Sequence, residues 1–216
     1  GVASLTCLPK TAWPPTSQNL AVYAEEILRE NDLDADELDA VAVGKGPGSY
    51  TGLRIAVSLA KGICYATGKP LIAVNSLEAL VQVALEDFEA GILDLESLED
   101  AKLLPMIDAR RMEVYCQLFD AQARPLSEVE AHVLTAESFA AERAQGRLVL
   151  FGNGAAKSKM LFTEPGVHYV DVTPSARGLV KPATEALKIR KFENVAYFEP
   201  FYLKNFVATS SSKKFF

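Results

Sequence analysis

The chain has 216 residues, 49% of them hydrophobic, enough apolar material for one large domain or two small ones. Its net charge of −6 disfavours a protein that grips nucleic acid through its own surface. Cys7, Cys64 and Cys116 fit no zinc or CxxC spacing, so a reducing cytoplasm is expected rather than a disulfide framework. The longest apolar runs fall short of the ~20 residues that a membrane span requires. Gly1-Val2-Ala3-Ser4 has no signal-peptide pattern and no methionine, so the start reads as truncated or tag-scarred.

Residues 2–8, VASLTCL, read as a strand, followed by a loop punctuated by Pro9, Pro14 and Pro15. Thr16 or Ser17 can cap the next helix, whose apolar face is Leu20, Tyr23, Ala24, Ile27 and Leu28. A short buried strand is expected at 39–43, a helix at 51–66, a strand at 71–74 and a helix at 77–88 capped by Asn75 or Ser76. This alternation predicts a mainly parallel sheet with helices packed on it. The acidic stretch 86–102 reads as a solvated boundary. Beyond it the sequence predicts two strands around a turn at Asp108-Ala109-Arg110-Arg111, and a third strand near 128–134. A helix near 135–145, strands at 147–151 and 167–172, and a last helix at about 174–190 complete the pattern. Two similar lobes are therefore expected, 1–102 and 103–194, with 195–216 returning to the first.

The stretch GKGPGSYTGLR, Gly44 to Arg54, joins a strand to a helix through glycines. It lacks the Gly-Lys-Ser/Thr of a P-loop and the register of a dinucleotide fingerprint. An anion site at the helix N-terminus, on Gly48, Ser49, Tyr50 and Thr51, is the lesser reading. The leading one is a turn that launches a packing helix. Gly52, Ala56, Ala60 and Cys64 form a small-residue row, with Ile55, Leu59, Ile63 and Ala66 beside it. Tyr50, Arg54, Ser58, Lys61 and Tyr65 make the polar stripe. A helix this apolar is expected to be covered on two sides, one by the sheet and the other by another helix, from this chain or from a partner. The partner-facing set expected is Leu20, Tyr23, Ala24, Ile27 and Leu28 with Gly52, Ile55, Ala56, Leu59, Ala60 and Ile63.

Catalytic patterns are scarce. His132 and His168 are far apart and read as structural, and no nucleophile elbow is present. Nothing in the sequence arranges a Ser/His/acid set. Asp108 reads as a hairpin-turn carboxylate before a metal ligand, Arg110 and Arg111 as turn residues, and Lys213 and Lys214 as solvated charge. No catalytic residue and no metal site is expected.

The phrases VAVGKGPGSYTGLRIAVSLAKG, PLIAVNSLEAL, PMIDARRMEVY and AYFEPFYLKNFVAT resemble the bacterial TsaB (YeaZ) family over residues 38 to the end. The resemblance implies an α/β fold of two RNase H-like lobes, the actin-like ATPase (ASKHA) architecture of mixed sheets with helices packed on them. It implies a non-catalytic scaffold in threonylcarbamoylation of the tRNA adenosine next to the anticodon. Its implied partners are a TsaD paralogue as heterodimer, the TsaE ATPase, and a second copy when alone, with tRNA engaged only indirectly and no membrane. No cofactor is expected on this chain alone, and ATP or ADP belongs to the partner interface. The family's opening Asp-Thr-Ser strand is absent, which points to an incomplete start. A small actin-fold phosphotransferase is the alternative function, and a glycoprotease-like peptidase the last.

Overall fold

The structure, a computed structural model, describes residues 16–203. The strand expected at 2–8, Cys7, Lys213 and Lys214 lie outside the described residues. Helix α1 spans Thr16–Glu30, and an acidic connection leads to strand β1, Val41–Gly46. Helix α2, Tyr50–Thr67, then returns the chain to strand β2, Leu71–Asn75, which pairs parallel with β1. β1 begins two residues later than the sequence suggests and runs into the glycine loop. Gly44 and Gly46 carry no side chain, and both stay paired with β2, across a register shift. Gly46 sits at φ 107°, and a Cβ there would meet the Phe201 carbonyl at 2.9 Å, so no other residue fits this close approach.

Ser49 caps α2 by accepting a hydrogen bond from the Gly52 amide at 3.3 Å. The inner face of α2 packs Val57, Ala60 and Cys64 on Val43 and Leu71. Helix α3, Ser76–Glu89, starts with the Asn75 side chain accepting from the Leu77 amide at 2.8 Å. It is buried around most of its girth, because Leu77, Leu80, Val81, Val83 and Ala84 enter a core with Leu103, Phe119, Val149, Phe151 and Val172.

That core belongs to a second, six-stranded sheet. Its strands are β3 (Lys102–Asp108), β4 (Glu113–Cys116), β5 (Phe119–Asp120), β6 (Glu130–Val133), β7 (Leu148–Phe151) and β8 (Val167–Tyr169). The order is β6-β4-β3-β7-β8, with β5 also on β3. β3, β7 and β8 run parallel, and β4, β5 and β6 pair antiparallel. The turn expected at Asp108–Arg111 is present, and Arg110 and Arg111 adopt φ of 73° and 47° to make it.

Two expected elements change. The helix predicted over 135–145 shrinks to α4, Ala140–Ala144. The Ser138 hydroxyl accepts from the Thr135 amide at 2.9 Å, closing a turn, and Phe139 takes a left-handed conformation that breaks helical continuity. The last helix splits into a tight turn, Ala176–Leu179, and α5, Val180–Lys188. Grouped by sequence with the second lobe, α5 instead packs on the first sheet: Leu179, Ala183, Ala186 and Leu187 meet Ile72, Val74 and Ala79. Two features bring this segment close to α3. Gly178 lies where a Cβ would stand 2.1 Å from the Ala79 carbonyl oxygen, and Arg177 donates to Asp87 at 2.5 Å. The two sheets also meet at their ends, where the Asn75 side-chain amide donates to Gln117 at 3.3 Å.

Candidate functional site

The outer surface of α2 is where the sequence concentrates its unusual residues, and the structure sorts them by direction. From Ala56 onward the small-residue row turns inward. Ala56 is half-buried, and Ala60 and Cys64 are 5% and 2% exposed against the first sheet. Ala60, expected at a partner interface, therefore serves this chain's own core, because only a small side chain lets the helix lie flat on Val43 and Leu71. Gly52 is exposed, and Ile55, Leu59 and Ile63 are half-buried. On α1, Leu20, Tyr23, Ala24, Ile27 and Leu28 are all half-buried. Ala24, Ile27 and Leu28 line a groove shared with Ile63, so they point along the first sheet's edge rather than outward.

What α2 does show to solvent is a second row of small residues, Ser58, Gly62 and Ala66, with Thr51, Arg54 and Tyr65 flanking it. Tyr65 is 87% exposed. A Cβ on Gly62 would have nothing within 4 Å. A glycine inside a helix costs about 1 kcal/mol relative to alanine, and no contact within the described chain requires it here. The sequence alone does not single out Gly62. The signal available was a glycine in mid-helix, four residues from Ser58 and Ala66.

The C-terminal segment straps one side of α2. Lys61 donates to the carbonyls of Ala196 at 3.2 Å and Phe198 at 3.0 Å. The Phe201 amide donates to Lys45 at 2.8 Å, and Tyr202 stacks on Tyr50 with ring centres 4.9 Å apart. Arg54 lies over the other part of this cluster, 4.7 Å from the Tyr50 ring centre. Of the expected anion residues Gly48, Ser49, Tyr50 and Thr51, two are thereby committed: Ser49 to its cap and Tyr50 to the aromatic stack.

At the end of β3, Asp108 accepts from Lys157 at 2.7 Å and from the Arg110 amide at 2.6 Å. The Asn153 side chain accepts from the Asp108 amide at 2.9 Å. The Lys157 hydrogen bond is the main reason that the Asp108 carboxyl titrates below its usual range. A lowered carboxylate pKa favours the fold above the unfolded value of about 4 and loses that contribution as pH falls through the lowered pKa. Asp108 thus closes a turn, as expected. Among the described residues no group of three His, Cys, Asp or Glu is placed to hold a metal ion.

One arrangement corrects the expectation that no Ser/His/acid set exists. His132 Nε2 lies 2.8 Å from the Ser138 hydroxyl, and its Nδ1 lies 3.1 Å from Glu130. The order is that of a nucleophile, a base and an orienting acid. Ser138, however, is 6% exposed and its oxygen is already the acceptor for the Thr135 amide. Glu130 also faces Cys116, whose thiol burial and the Glu130 charge push up to about 12, far from a reactive thiolate. The triplet pins β6 to the turn before α4. Ser138→Ala is expected to lower stability by about 1 kcal/mol through the lost hydrogen bonds, read by thermal melting. Ester hydrolysis by the wild type should not exceed that of the variant, and turnover that disappears with Ser138→Ala would make the triplet a catalytic one.

Two sheets that meet at their strand ends, with α3 buried in the core of the second and α5 packed on the first, are the architecture of the actin-like ATPase fold. A family model described as TsaD, tRNA N6-adenosine threonylcarbamoyltransferase, matches residues 7–197. The TsaB protein of Escherichia coli, named for tRNA threonylcarbamoyladenosine biosynthesis, is 30% identical over 89% of this chain and 82% of its own length. The solved structure of YeaZ from Pseudomonas aeruginosa superimposes with a TM-score of 0.66 at 25% identity, covering 86% of this chain and 84% of that one. By contrast, the threonylcarbamoyltransferase of Erythrobacter litoralis, 39% identical, matches 33% of this chain and 21% of its own length. The chain belongs to the TsaB (YeaZ) family.

Proposed function

We propose that this chain acts in threonylcarbamoylation of the tRNA adenosine next to the anticodon as a non-catalytic subunit. Its place is against a TsaD-type transferase, with the outward row of α2 as the docking face. The observation that carries the reading is Gly62, an exposed mid-helix glycine with open space where its side chain would be. A second helix seated on Ser58, Gly62 and Ala66 supplies the missing reason, because small residues let two backbones approach closely. Val22, 48% exposed on α1, and Tyr65 give that helix apolar contacts at the flanks. Membership in the TsaB family supplies the pathway.

The remaining assignments follow from the same picture. With a net charge of −6, the chain meets tRNA through its partner rather than directly. ATP or ADP and the TsaE ATPase belong to the assembled complex, in the cytoplasm, and alone the same row pairs two copies. No helix among the described residues is long and apolar enough to cross a membrane. Calorimetric titration of the chain into the transferase of its own organism tests the reading: one-to-one binding is expected. No heat, with both proteins folded, would end it.

A further inference from the structure

The hairpin between β3 and β4 carries two arginines at its tip, in a conformation that suits neither. Arg110 and Arg111 adopt φ of 73° and 47°, a region where glycine is at ease and a long side chain is strained. Both residues are exposed, and neither guanidinium has an ion-pair partner among the described residues. The base of the hairpin is firmly held. Lys157 donates to the Asp108 carboxylate and to the Glu113 carbonyl, each at 2.7 Å, and so ties its two strands together. Asp108 accepts from the Arg110 amide at 2.6 Å, which fixes the first arginine's backbone. Strain that the surroundings hold in place marks positions whose side chains are used.

The neighbours of the tip complete a surface. Met112 and Val133 are 43% and 60% exposed. The Leu134 amide donates to the Met112 carbonyl at 2.8 Å, which sets Val133 beside the turn. β6 ends the strand order of its sheet. Leu134 bonds toward β4, so by alternation Ala131 and Val133 aim their amides and carbonyls away from β4.

We propose that this end of the second sheet docks an extended acidic segment of a partner protein. Its backbone adds to β6 at Ala131 and Val133, and its carboxylates meet Arg110 and Arg111. Charge selects an acid, because a guanidinium fork holds a carboxylate through two parallel hydrogen bonds. A nucleic-acid backbone offers the same sign of charge, and two observations favour the peptide over it. Met112 and Val133 present apolar contacts, of the kind enriched in protein interfaces. The free backbone groups of β6 match a peptide main chain. The chain's net charge of −6 also opposes a polyanion. This surface belongs to the second sheet and is separate from the outward row of α2, which packs on the first.

The probe is a fluorescein-labelled peptide of two glutamates followed by alternating valines and threonines, titrated with the full chain by anisotropy. Binding is expected, weakened by added salt, and at least tenfold weaker for the double variant Arg110→Gly, Arg111→Gly. Glycine relieves the positive φ but loosens the unfolded chain, so melting should stay within a few degrees of wild type. A probe with lysines in place of the glutamates should not bind. If the double variant does not fold, the two probes decide. No binding of the glutamate probe, equal binding of both probes, or equal affinity in the folded double variant would overturn the proposal. So would a uridine oligonucleotide that binds more tightly than the peptide through the same arginines, which marks nucleic acid as the occupant. Self-association of the wild type that the double variant loses would also overturn it, because the occupant is then a second copy.

Discussion

Gly62→Trp should leave the melting temperature of the isolated chain within a degree or two, yet weaken transferase binding by tenfold to a hundredfold. The first half follows from space. Nothing lies within 4 Å of the position a Cβ would occupy, so a large side chain projects into solvent. It also replaces glycine with a better helix former, which offsets the cost of exposing an indole. The second half follows from overpacking at a close helix contact, roughly 1–3 kcal/mol per misfitted group, which converts to that range of affinity. Gly62→Ala is the graded control: it should raise the melting temperature slightly and cost less binding. Calorimetry and melting on the same samples separate the effects. A Trp variant that binds as tightly as wild type would remove α2's outer row from the interface.

Gly178→Ala should do the reverse, damaging the fold first. Its Cβ would stand 2.1 Å from the Ala79 carbonyl oxygen and 2.8 Å from a Val83 methyl carbon. The first obstacle is backbone inside α3 and cannot rotate aside, so α5 and its preceding turn must lift from the first sheet. The expected loss is about 3 kcal/mol. At about 2–4 °C per kcal/mol for a chain of this size, the melting temperature should fall by about 6–12 °C. Relief of the strain should show as faster hydrogen exchange in 176–188 before the rest of the chain. A melting temperature within 2 °C of wild type would show that α5 does not depend on this contact.

Much of this architecture is legible in the residues themselves. The α2 helix was readable over 51–66 from its apolar rows and polar stripe, because periodicity acts locally. α3 was readable for the same reason, from Asn75 and the run Leu77 to Phe88. What the sequence did not reveal depends on partners distant in the chain. The row Ala56, Ala60 and Cys64 looks suited to a partner helix, and its small size is used instead by Val43 and Leu71. Periodicity gives the rows of a helix but not which of two apolar rows meets the sheet. α5 was assigned to the second lobe because it follows it, while Ile72 and Val74 of the first sheet bury it. The Ser138-His132-Glu130 triplet was missed because a turn folds residue 138 back onto residue 132, and no local pattern announces that. Gly62 was visible all along, but its meaning depends on the empty space around it.

The most direct measurement is reconstituted tRNA modification with the transferase, its ATPase and threonylcarbamoyl donor chemistry supplied, with and without this chain. The account predicts no modification by this chain alone and strong stimulation of the transferase when it is added. Stimulation should be lost in proportion to binding with Gly62→Trp, and retained with Asp108→Ala and Ser138→Ala. Modification by the chain without the transferase, or full stimulation by the Gly62→Trp variant, would contradict it.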